Sequence, residues 1–171
     1  DFGHGLISEN AAKFISKNKI FYGLNAQVNS STVGYSNISK YKKPKCLIIN
    51  ATELRQELRD RDGDLIFLAK KFKKKIKSDF LIVTMGRLGV ILLDKKNNLI
   101  NCPAFASDIV DKIGAGDTLF SFLNLFLSSG CDIKISLFIG SIAAANSTGE
   151  YANTHKFDKI KLLKSFNYLL K

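Results

Sequence analysis

The sequence lacks the features that mark membrane proteins and disulfide-stabilised proteins. No apolar run approaches the roughly 18 residues that span a bilayer. Its three cysteines, Cys46, Cys102 and Cys131, are widely spaced and odd in number, which argues against a disulfide framework and a Cys-x-x-Cys metal site. We therefore predict a cytoplasmic protein in a reducing environment that does not associate with membranes.

The sequence also lacks the motifs of several nucleotide-binding classes. It contains no Gly-Lys-Ser/Thr of a Walker A loop, and Leu119 breaks the Gly-x-Gly-x-x-Gly pattern that begins at Gly114. Asp1-Phe2-Gly3 mimics the metal-binding tripeptide of protein kinases, but the His-Arg-Asp loop and the lysine-bearing strand of that class are missing. P-loop ATPases, Rossmann dehydrogenases and protein kinases are therefore set aside. The start on Asp1 rather than Met predicts a fragment of a longer chain.

Acidic residues are few relative to basic ones, with 15 Asp and Glu against 26 Lys and Arg and a net charge of +11. The one dense cluster is the lysine run from 70 to 77, on a predicted helix, where such runs usually form a solvated face. No zinc-finger spacing or RNA-binding signature accompanies it. Nucleic-acid binding through this run is the less favoured alternative, and a positive field also suits an enzyme that binds polyphosphate.

Strands and helices alternate along the chain, which predicts an α/β domain with a mostly parallel sheet. The predicted strands are 20–24, 46–49, 80–84, 90–93 and 99–103, and the fourth is expected to pair back on the third as a hairpin that makes one sheet edge mixed. The predicted helices are 7–18, 52–60, 64–76, 117–127, 133–145 and 157–170.

The strongest chemical signal is the segment 111–117, Asp-Lys-Ile-Gly-Ala-Gly-Asp, which opens an apolar helix. Glycines let the backbone approach a ligand, and a helix N-terminus offers unpaired N–H groups to an anion. Asp117, beside that anion site, can accept a proton from an attacking hydroxyl. The alternative is an ordinary N-cap Asp after a glycine turn.

Two further segments follow buried strands. Asn50 and Glu53 lie three residues apart on a first helical turn and could hold Mg²⁺ through water; the alternative is a capping box. Thr84-Met85-Gly86-Arg87-Leu88-Gly89 could turn toward a phosphate; the alternative is a plain hairpin turn. All three segments lie at the carboxyl ends of predicted strands, where ligands bind in open α/β sheets.

Asn-x-x-Glu, then Thr-x-Gly-x-x-Gly, then Asp-x-x-Gly-Ala-Gly-Asp together resemble the ribokinase (PfkB) family of carbohydrate kinases. The resemblance implies a three-layer, ribokinase-like α/β fold in which residues 1–171 form the C-terminal, nucleotide-binding part, with the family's N-terminal portion absent. It implies an ATP- and Mg²⁺-dependent phosphotransferase that acts on a sugar or sugar-phosphate hydroxyl.

The same resemblance implies a role for each matched residue. Asp117 is the general base, and the backbone of Gly114, Ala115 and Gly116 forms the anion hole. The resemblance also assigns Asn50 and Glu53 to the metal, Thr84, Gly86, Gly89 and Asn146 to the nucleotide, and Asp111 to the family's usual acid. Asp1, Gly3 and His4 are candidate substrate residues.

A narrower resemblance links the opening Asp-Phe-Gly-His-Gly and the tract 25–30 to kinase domains like heptose-7-phosphate kinase. Such domains often occur with a sugar nucleotidyltransferase, so a domain or partner of that kind is expected, and a homodimer is possible. The alternative function is a non-catalytic, nucleotide-binding or partner-dependent fragment of such a kinase.

Overall fold

We describe a computed structural model of the chain, in which residues 1–18, 20–27, 38–106, 114–149 and 158–170 are described. The chain divides into two compact units. The first comprises Asp1–Met85 with Val90–Asn101, and the second comprises Gly86–Gly89 with Cys102–Lys171. That residues 1–171 form a single nucleotide-binding part of a kinase domain stays a prediction.

A five-stranded sheet organises the first unit, with its strands in sequence order. The strands are β1 (Gly23–Asn25), β2 (Cys46–Asn50), β3 (Phe80–Thr84), β4 (Val90–Leu93) and β5 (Leu99–Cys102). β1, β2 and β3 are parallel, whereas β4 turns back antiparallel to β3. The predicted mixed sheet with a late hairpin is confirmed.

Six α-helices accompany the sheet in the described residues. They are α1 (Glu9–Lys17), α2 (Ala51–Leu58) and α3 (Leu65–Ile76) in the first unit, and α4 (Ala115–Ser128), α5 (Ile133–Ser147) and α6 (Lys159–Leu169) in the second. Two short 3₁₀ turns, Ile38–Lys40 and Gly86–Leu88, were not predicted. The six helices correspond to the six that apolar periodicity predicted.

The core of the first unit forms where alternate strand residues meet the helices. Successive side chains of a strand point to opposite faces, so Leu47 and Ile49 share a face with Leu81 and Val83. These side chains pack in one buried cluster with Leu54 of α2, Leu68 and Phe72 of α3, and Ala12 of α1. This packing fixes the direction in which β2 and β3 end, and therefore where their polar terminal residues lie.

The second unit is a helical assembly held by close packing and aromatic rings. A Cβ at Gly140 of α5 would lie 3.0 Å from Cδ1 of Leu119 in α4, so the two helices approach where α5 has no side chain. The ring of Phe138 in α5 packs edge-to-face on Phe105, with the ring centroids 5.5 Å apart, and its centroid lies 5.9 Å from that of Phe166 in α6. These contacts fix α4, the helix that carries Asp117, within its unit.

Among the helices of the described residues, none combines the length and the apolar character that a membrane crossing requires.

Candidate functional site

Helix α4 differs from the other described helices at its first residue. Its N-cap is Gly114, in the left-handed conformation at φ 84°, and no side chain makes a capping hydrogen bond there. Each of the other five has a capping side chain at the N-cap position: Ser8, Asn50, Asp64, Asp132 and Asp158. The positive end of the α4 dipole therefore lacks the side-chain acceptor that the other helices have.

Space around the start of α4 is open on the side where a ligand would approach. A Cβ built on Gly114 or on Gly116 meets no atom within 4 Å. Gly116 and Asp117 are both exposed, and the turn is held from within by Thr118, whose hydroxyl donates to the carbonyl of Gly114 at 2.9 Å. The predicted anion site is thus an accessible helix start with a carboxylate in its first turn. Asp111, the family's usual acid, lies outside the described residues.

Asn50 and Glu53 form a complete capping box at the start of α2. The Asn50 side-chain oxygen accepts from the Glu53 main-chain nitrogen at 2.8 Å, and a Glu53 carboxylate oxygen accepts from the Asn50 nitrogen at 3.1 Å. The capping alternative is therefore present in the structure. It leaves the metal role open, since Mg²⁺ prefers oxygen ligands and commonly keeps several waters between itself and the protein. Within the described ranges, no group of three or more His, Cys, Asp or Glu is arranged to hold a metal ion.

Two of the three motifs meet at one edge of the sheet. Asn50 is the register partner of Thr84, so the last residues of β2 and β3 are neighbours. Parallel strands bring their carboxyl ends to the same edge, here called the carboxyl edge, and open α/β sheets bind ligands there. The structure thus brings Asn50, Glu53 and Thr84 together within the first unit.

Asp1 reaches the same edge through its main chain. Its nitrogen donates to the Asn25 carbonyl at 2.9 Å, and its carbonyl accepts from the Gln27 nitrogen at 3.0 Å. This is the bonding of a residue that lies parallel to β1, so Asp1 lies level with Ala26. Gly3 (φ 73°) and Gly5 (φ 85°) then turn the chain past that edge, and His4 between them is exposed.

The Asp1 carboxylate is buried and bonded. Its side chain is 3% exposed and lies 2.7 Å from the Lys40 ammonium, while the Tyr41 hydroxyl donates to it at 2.8 Å. The Gly3 nitrogen donates to its other oxygen at 2.9 Å. Sequence reasoning missed Lys40 and Tyr41, because nothing local links two residues some 40 positions from Asp1.

The two glycines of the Thr-x-Gly-x-x-Gly segment differ in their surroundings. A Cβ on Gly89 (φ 86°) would lie 2.2 Å from the carbonyl oxygen of Cys102, so only glycine fits beside that chain. Gly86 (φ 61°) is exposed, and a Cβ there meets nothing within 4 Å. Gly89 is therefore needed by the fold, while Gly86 leaves backbone accessible to a ligand.

Asn146, the predicted nucleotide residue of α5, has a contact within the second unit. Its side-chain oxygen accepts a hydrogen bond from the Ser165 hydroxyl of α6 at 3.2 Å. This bond ties the last turn of α5 to α6. The nucleotide role of Asn146 stays a prediction.

A surface cavity of about 460 Å³ lies beside α1 in the first unit. Its lining includes three lysines, Lys13, Lys40 and Lys42, together with Ser8 and Ser39. Among the described residues, none of those in the three motifs lines this cavity. Its lining also includes Glu9, so it carries charges of both signs.

Relatives of known name cover nearly the whole chain. The bifunctional protein HldE of Campylobacter concisus is 27% identical over 98% of this chain and 35% of its own length. That of Shewanella loihica is 28% identical over 98% of this chain and 34% of its own. This chain thus spans about a third of the length of the curated relatives it matches.

Solved structures show the same fold at low sequence identity. Phosphofructokinase-2 from Escherichia coli, solved with potassium, superposes with a TM-score of 0.78 at 16% identity, over 95% of this chain and 52% of that one. A ribokinase from Arabidopsis thaliana, complexed with ribose and ATP, gives a TM-score of 0.70 at 18% identity, over 92% and 51%. The expected ribokinase-like fold, of which this chain covers part, is confirmed.

A family model agrees with these comparisons and with the three motifs. The model described as pfkB family carbohydrate kinase matches residues 16–159, most of the chain. The resemblance drawn from the motifs is therefore confirmed, and the chain belongs to the pfkB family of carbohydrate kinases.

Proposed function

We propose that this chain supplies the phosphoryl-transfer part of an ATP-dependent kinase that acts on a sugar or sugar-phosphate hydroxyl. The observation that carries the proposal is the start of α4, an accessible helix N-terminus without a capping side chain and with Asp117 in its first turn. Membership of a carbohydrate kinase family supports it. A fold shared with a ribokinase solved with ribose and ATP is consistent with it.

In the proposed reaction, the acceptor hydroxyl attacks the γ-phosphorus of ATP and the bond to the β-phosphate oxygen breaks. Asp117 accepts the proton of the hydroxyl, and ADP leaves with the bonding electron pair. Main-chain N–H groups from Gly114 to Asp117 donate to the phosphoryl oxygens, where negative charge is concentrated. Catalysis of this kind consists mostly of positioning and electrostatic stabilisation.

The residues at the carboxyl edge are proposed to organise the nucleotide. Mg²⁺, when bound, neutralises phosphate charge, and Asn50 and Glu53 would hold it through water while they keep capping α2. The Thr84 hydroxyl and the exposed backbone at Gly86 would donate to the nucleotide phosphates. Asn146 is the proposed residue on the adenine side.

A sugar phosphate is the acceptor class that we favour. The curated relatives share the name bifunctional protein HldE, and the opening segment of this chain resembles heptose-7-phosphate kinase-like domains. A nucleotidyltransferase domain or partner accords with the word bifunctional, and a homodimer is the proposed assembly.

The first test is calorimetric titration of Mg–ATP into the wild-type chain, Gly116→Glu and Gly116→Ala. A carboxylate on Gly116 has room, and it suits a helix N-terminus, so Gly116→Glu should fold at least as stably as wild type. It should lose ATP binding about a hundredfold or more, because it puts a negative charge where the phosphate would lie. Gly116→Ala, which adds bulk without charge, should lose much less.

Equal ATP binding by wild type and Gly116→Glu would exclude the α4 start as the phosphate site. Where binding follows the expected order, a turnover assay with heptose 7-phosphate, fructose 6-phosphate and ribose on the full-length gene product identifies the acceptor.

The second candidate is a nucleotide-binding fragment without activity of its own. It is favoured by one observation, that the chain spans about a third of the length of its relatives. ATP binding by the isolated chain, with turnover only in the full-length protein, would support it.

A further inference from the structure

We propose that Lys40 and Tyr41 are positioning residues that hold the Gly3–Gly5 loop in place to contact the sugar acceptor. The inference rests on the proposed function, and it goes beyond the family's motifs, none of which includes these two residues. It is carried by a buried polar cluster, by the position of the loop, and by the side chains that the loop exposes.

The cluster is a carboxylate held by three donors. The Asp1 side chain is 3% exposed and that of Lys40 is 14% exposed, at a separation of 2.7 Å. A charge that is so buried is tolerated only when it is paired and hydrogen-bonded, and here the Tyr41 hydroxyl and the Gly3 nitrogen also donate to it. Burial raises the pKa of Tyr41, as does nearby Tyr22, so the hydroxyl stays a donor at neutral pH.

Lys40 ties the loop at both of its ends. Its ammonium contacts the Asp1 carboxylate before the loop and donates to the Ile7 carbonyl after it, at 2.8 Å. One side chain therefore fixes the separation between residues 1 and 7. The glycines at positions 3 and 5, both with positive φ, are the points at which the intervening chain would otherwise rotate.

The loop begins at the carboxyl edge of the sheet. Asp1 lies beside β1, and β1 lies beside β2, which ends at Asn50. Strands lie about 4.8 Å apart, so the start of the loop is on the order of 10 Å from Asn50, one of the residues proposed to organise the nucleotide phosphates. A sugar phosphate is long enough to extend over much of that distance.

The exposed side chains of this segment fit a sugar in chemical character. His4 is exposed, and Phe2, two residues earlier, is 60% exposed. An exposed aromatic ring and an exposed imidazole on one short segment match a ligand that presents C–H surfaces and hydroxyls. Because side chains on a flexible loop bind weakly, the clamp would raise affinity by fixing them beforehand.

The test is steady-state kinetics on the full-length gene product with ATP and heptose 7-phosphate. The variants are Tyr41→Phe and Lys40→Met, with Lys40→Arg as the conservative replacement. Lys42→Met is the matched control, because Lys42 lines the same cavity as Lys40 and the substitution removes the same positive charge. Hydrogen exchange of residues 2–7, measured with and without heptose 7-phosphate, gives a readout that needs no turnover.

We expect Tyr41→Phe and Lys40→Met to raise the KM for the acceptor about tenfold and to leave the KM for ATP within twofold. Lys40→Arg should recover part of the loss, and Lys42→Met should behave as wild type. Exchange of residues 2–7 should be faster in the first two variants, and the acceptor should slow it less than in wild type.

A merely structural role would lower kcat through loss of folded enzyme and leave both KM values unchanged. That pattern would overturn the inference. So would equal increases in the KM for the acceptor and the KM for ATP, or an effect of Lys42→Met equal to that of Lys40→Met. A wild type that transfers no phosphoryl group contradicts the proposed function instead. In that case, hydrogen exchange still tests the positioning role. If heptose 7-phosphate does not slow the exchange of residues 2–7, that role is overturned. If it slows the exchange in wild type and does so less in Tyr41→Phe, that role is supported.

Discussion

Helices α2 and α4 each carry an acidic residue in the first turn, but their N-caps differ. At α2 the fold bonds both side chains, since Asn50 and Glu53 each accept a main-chain hydrogen bond. At α4 the N-cap is glycine, no side chain caps the helix, and the first-turn carboxylate of Asp117 is exposed. The contrast separates a helix start that side chains cap from one that has no side-chain cap and is the proposed anion site. It also shows why motif spacing alone could not distinguish the two.

The largest expected effect comes from removing the Asp117 carboxylate in the first turn of α4. Asp117→Asn should lower kcat by a factor of roughly 10² to 10⁴, because the proton acceptor is lost while the helix start is kept. ATP affinity, measured by calorimetry, should change less than threefold. Near-normal turnover by a folded Asp117→Asn enzyme would remove Asp117 from the mechanism.

The two glycines of the Thr-x-Gly-x-x-Gly segment extend the same contrast to the backbone. Gly89→Ala should destabilise the protein by about 3 kcal/mol or more, because the new methyl would overlap the Cys102 carbonyl at a positive φ. Gly86→Ala, with open space, should cost about 1 kcal/mol from its positive φ alone. Urea unfolding of both variants measures the difference, and similar losses would contradict the assignment of Gly89 to the fold.

Two neighbouring lysines of α3, Lys73 and Lys74, differ in burial and in hydrogen bonding. Lys73 is 6% exposed and donates to the Asn97 side chain at 3.0 Å, whereas Lys74 beside it is exposed. Burial lowers the pKa of Lys73, and the charges of Asp94 and Asp79 oppose that shift. Lys73→Met should cost about 1 to 2 kcal/mol through the lost bond, and Lys74→Met less than 0.5. Equal thermal unfolding midpoints would show that the buried contact contributes nothing.

The smallest expected effect tests whether α2 serves both the fold and the metal. Asn50→Ala should cost about 1 kcal/mol, as loss of an N-cap does. Glu53→Gln keeps the capping acceptor, so its stability should stay within about 0.5 kcal/mol of wild type. If Glu53 also organises Mg²⁺, the Mg²⁺ concentration needed for half-maximal activity should still rise. An unchanged Mg²⁺ requirement in Glu53→Gln would leave Glu53 as a cap alone.

Sequence patterns predicted regular elements best where burial dictates the side chains. The apolar runs of β3 and β4 have the predicted bounds, 80–84 and 90–93, because Asp79 precedes the first run and Gly89 and Asp94 flank the second. β1 was predicted at 20–24 but lies at Gly23–Asn25. Tyr22, which was predicted inside the strand, lies just before it, and its hydroxyl donates to the Lys42 carbonyl.

Candidate site residues could be predicted from the sequence only where they lie within one short segment. Gly114 to Asp117 and Asn50 with Glu53 are short segments, so their pattern and the family resemblance together singled them out as candidates. The Asp1 cluster depends on Lys40 and Tyr41, which the fold brings to it from a distant part of the chain. No sequence periodicity connects such residues, because their contact depends on how β1, α1 and the 3₁₀ turn Ile38–Lys40 pack.

The unequal glycines have an evolutionary consequence. Suppose that this protein catalyses the proposed phosphoryl transfer and that a descendant lost that activity but kept its shape. Selection would then relax at Gly86 and Gly116, where side chains have room, and would persist at Gly89, where the Cys102 carbonyl excludes any side chain. A homologue that retains Gly89 but has drifted at the other two would therefore be expected to be a folded pseudokinase, and one that retains all three an active enzyme.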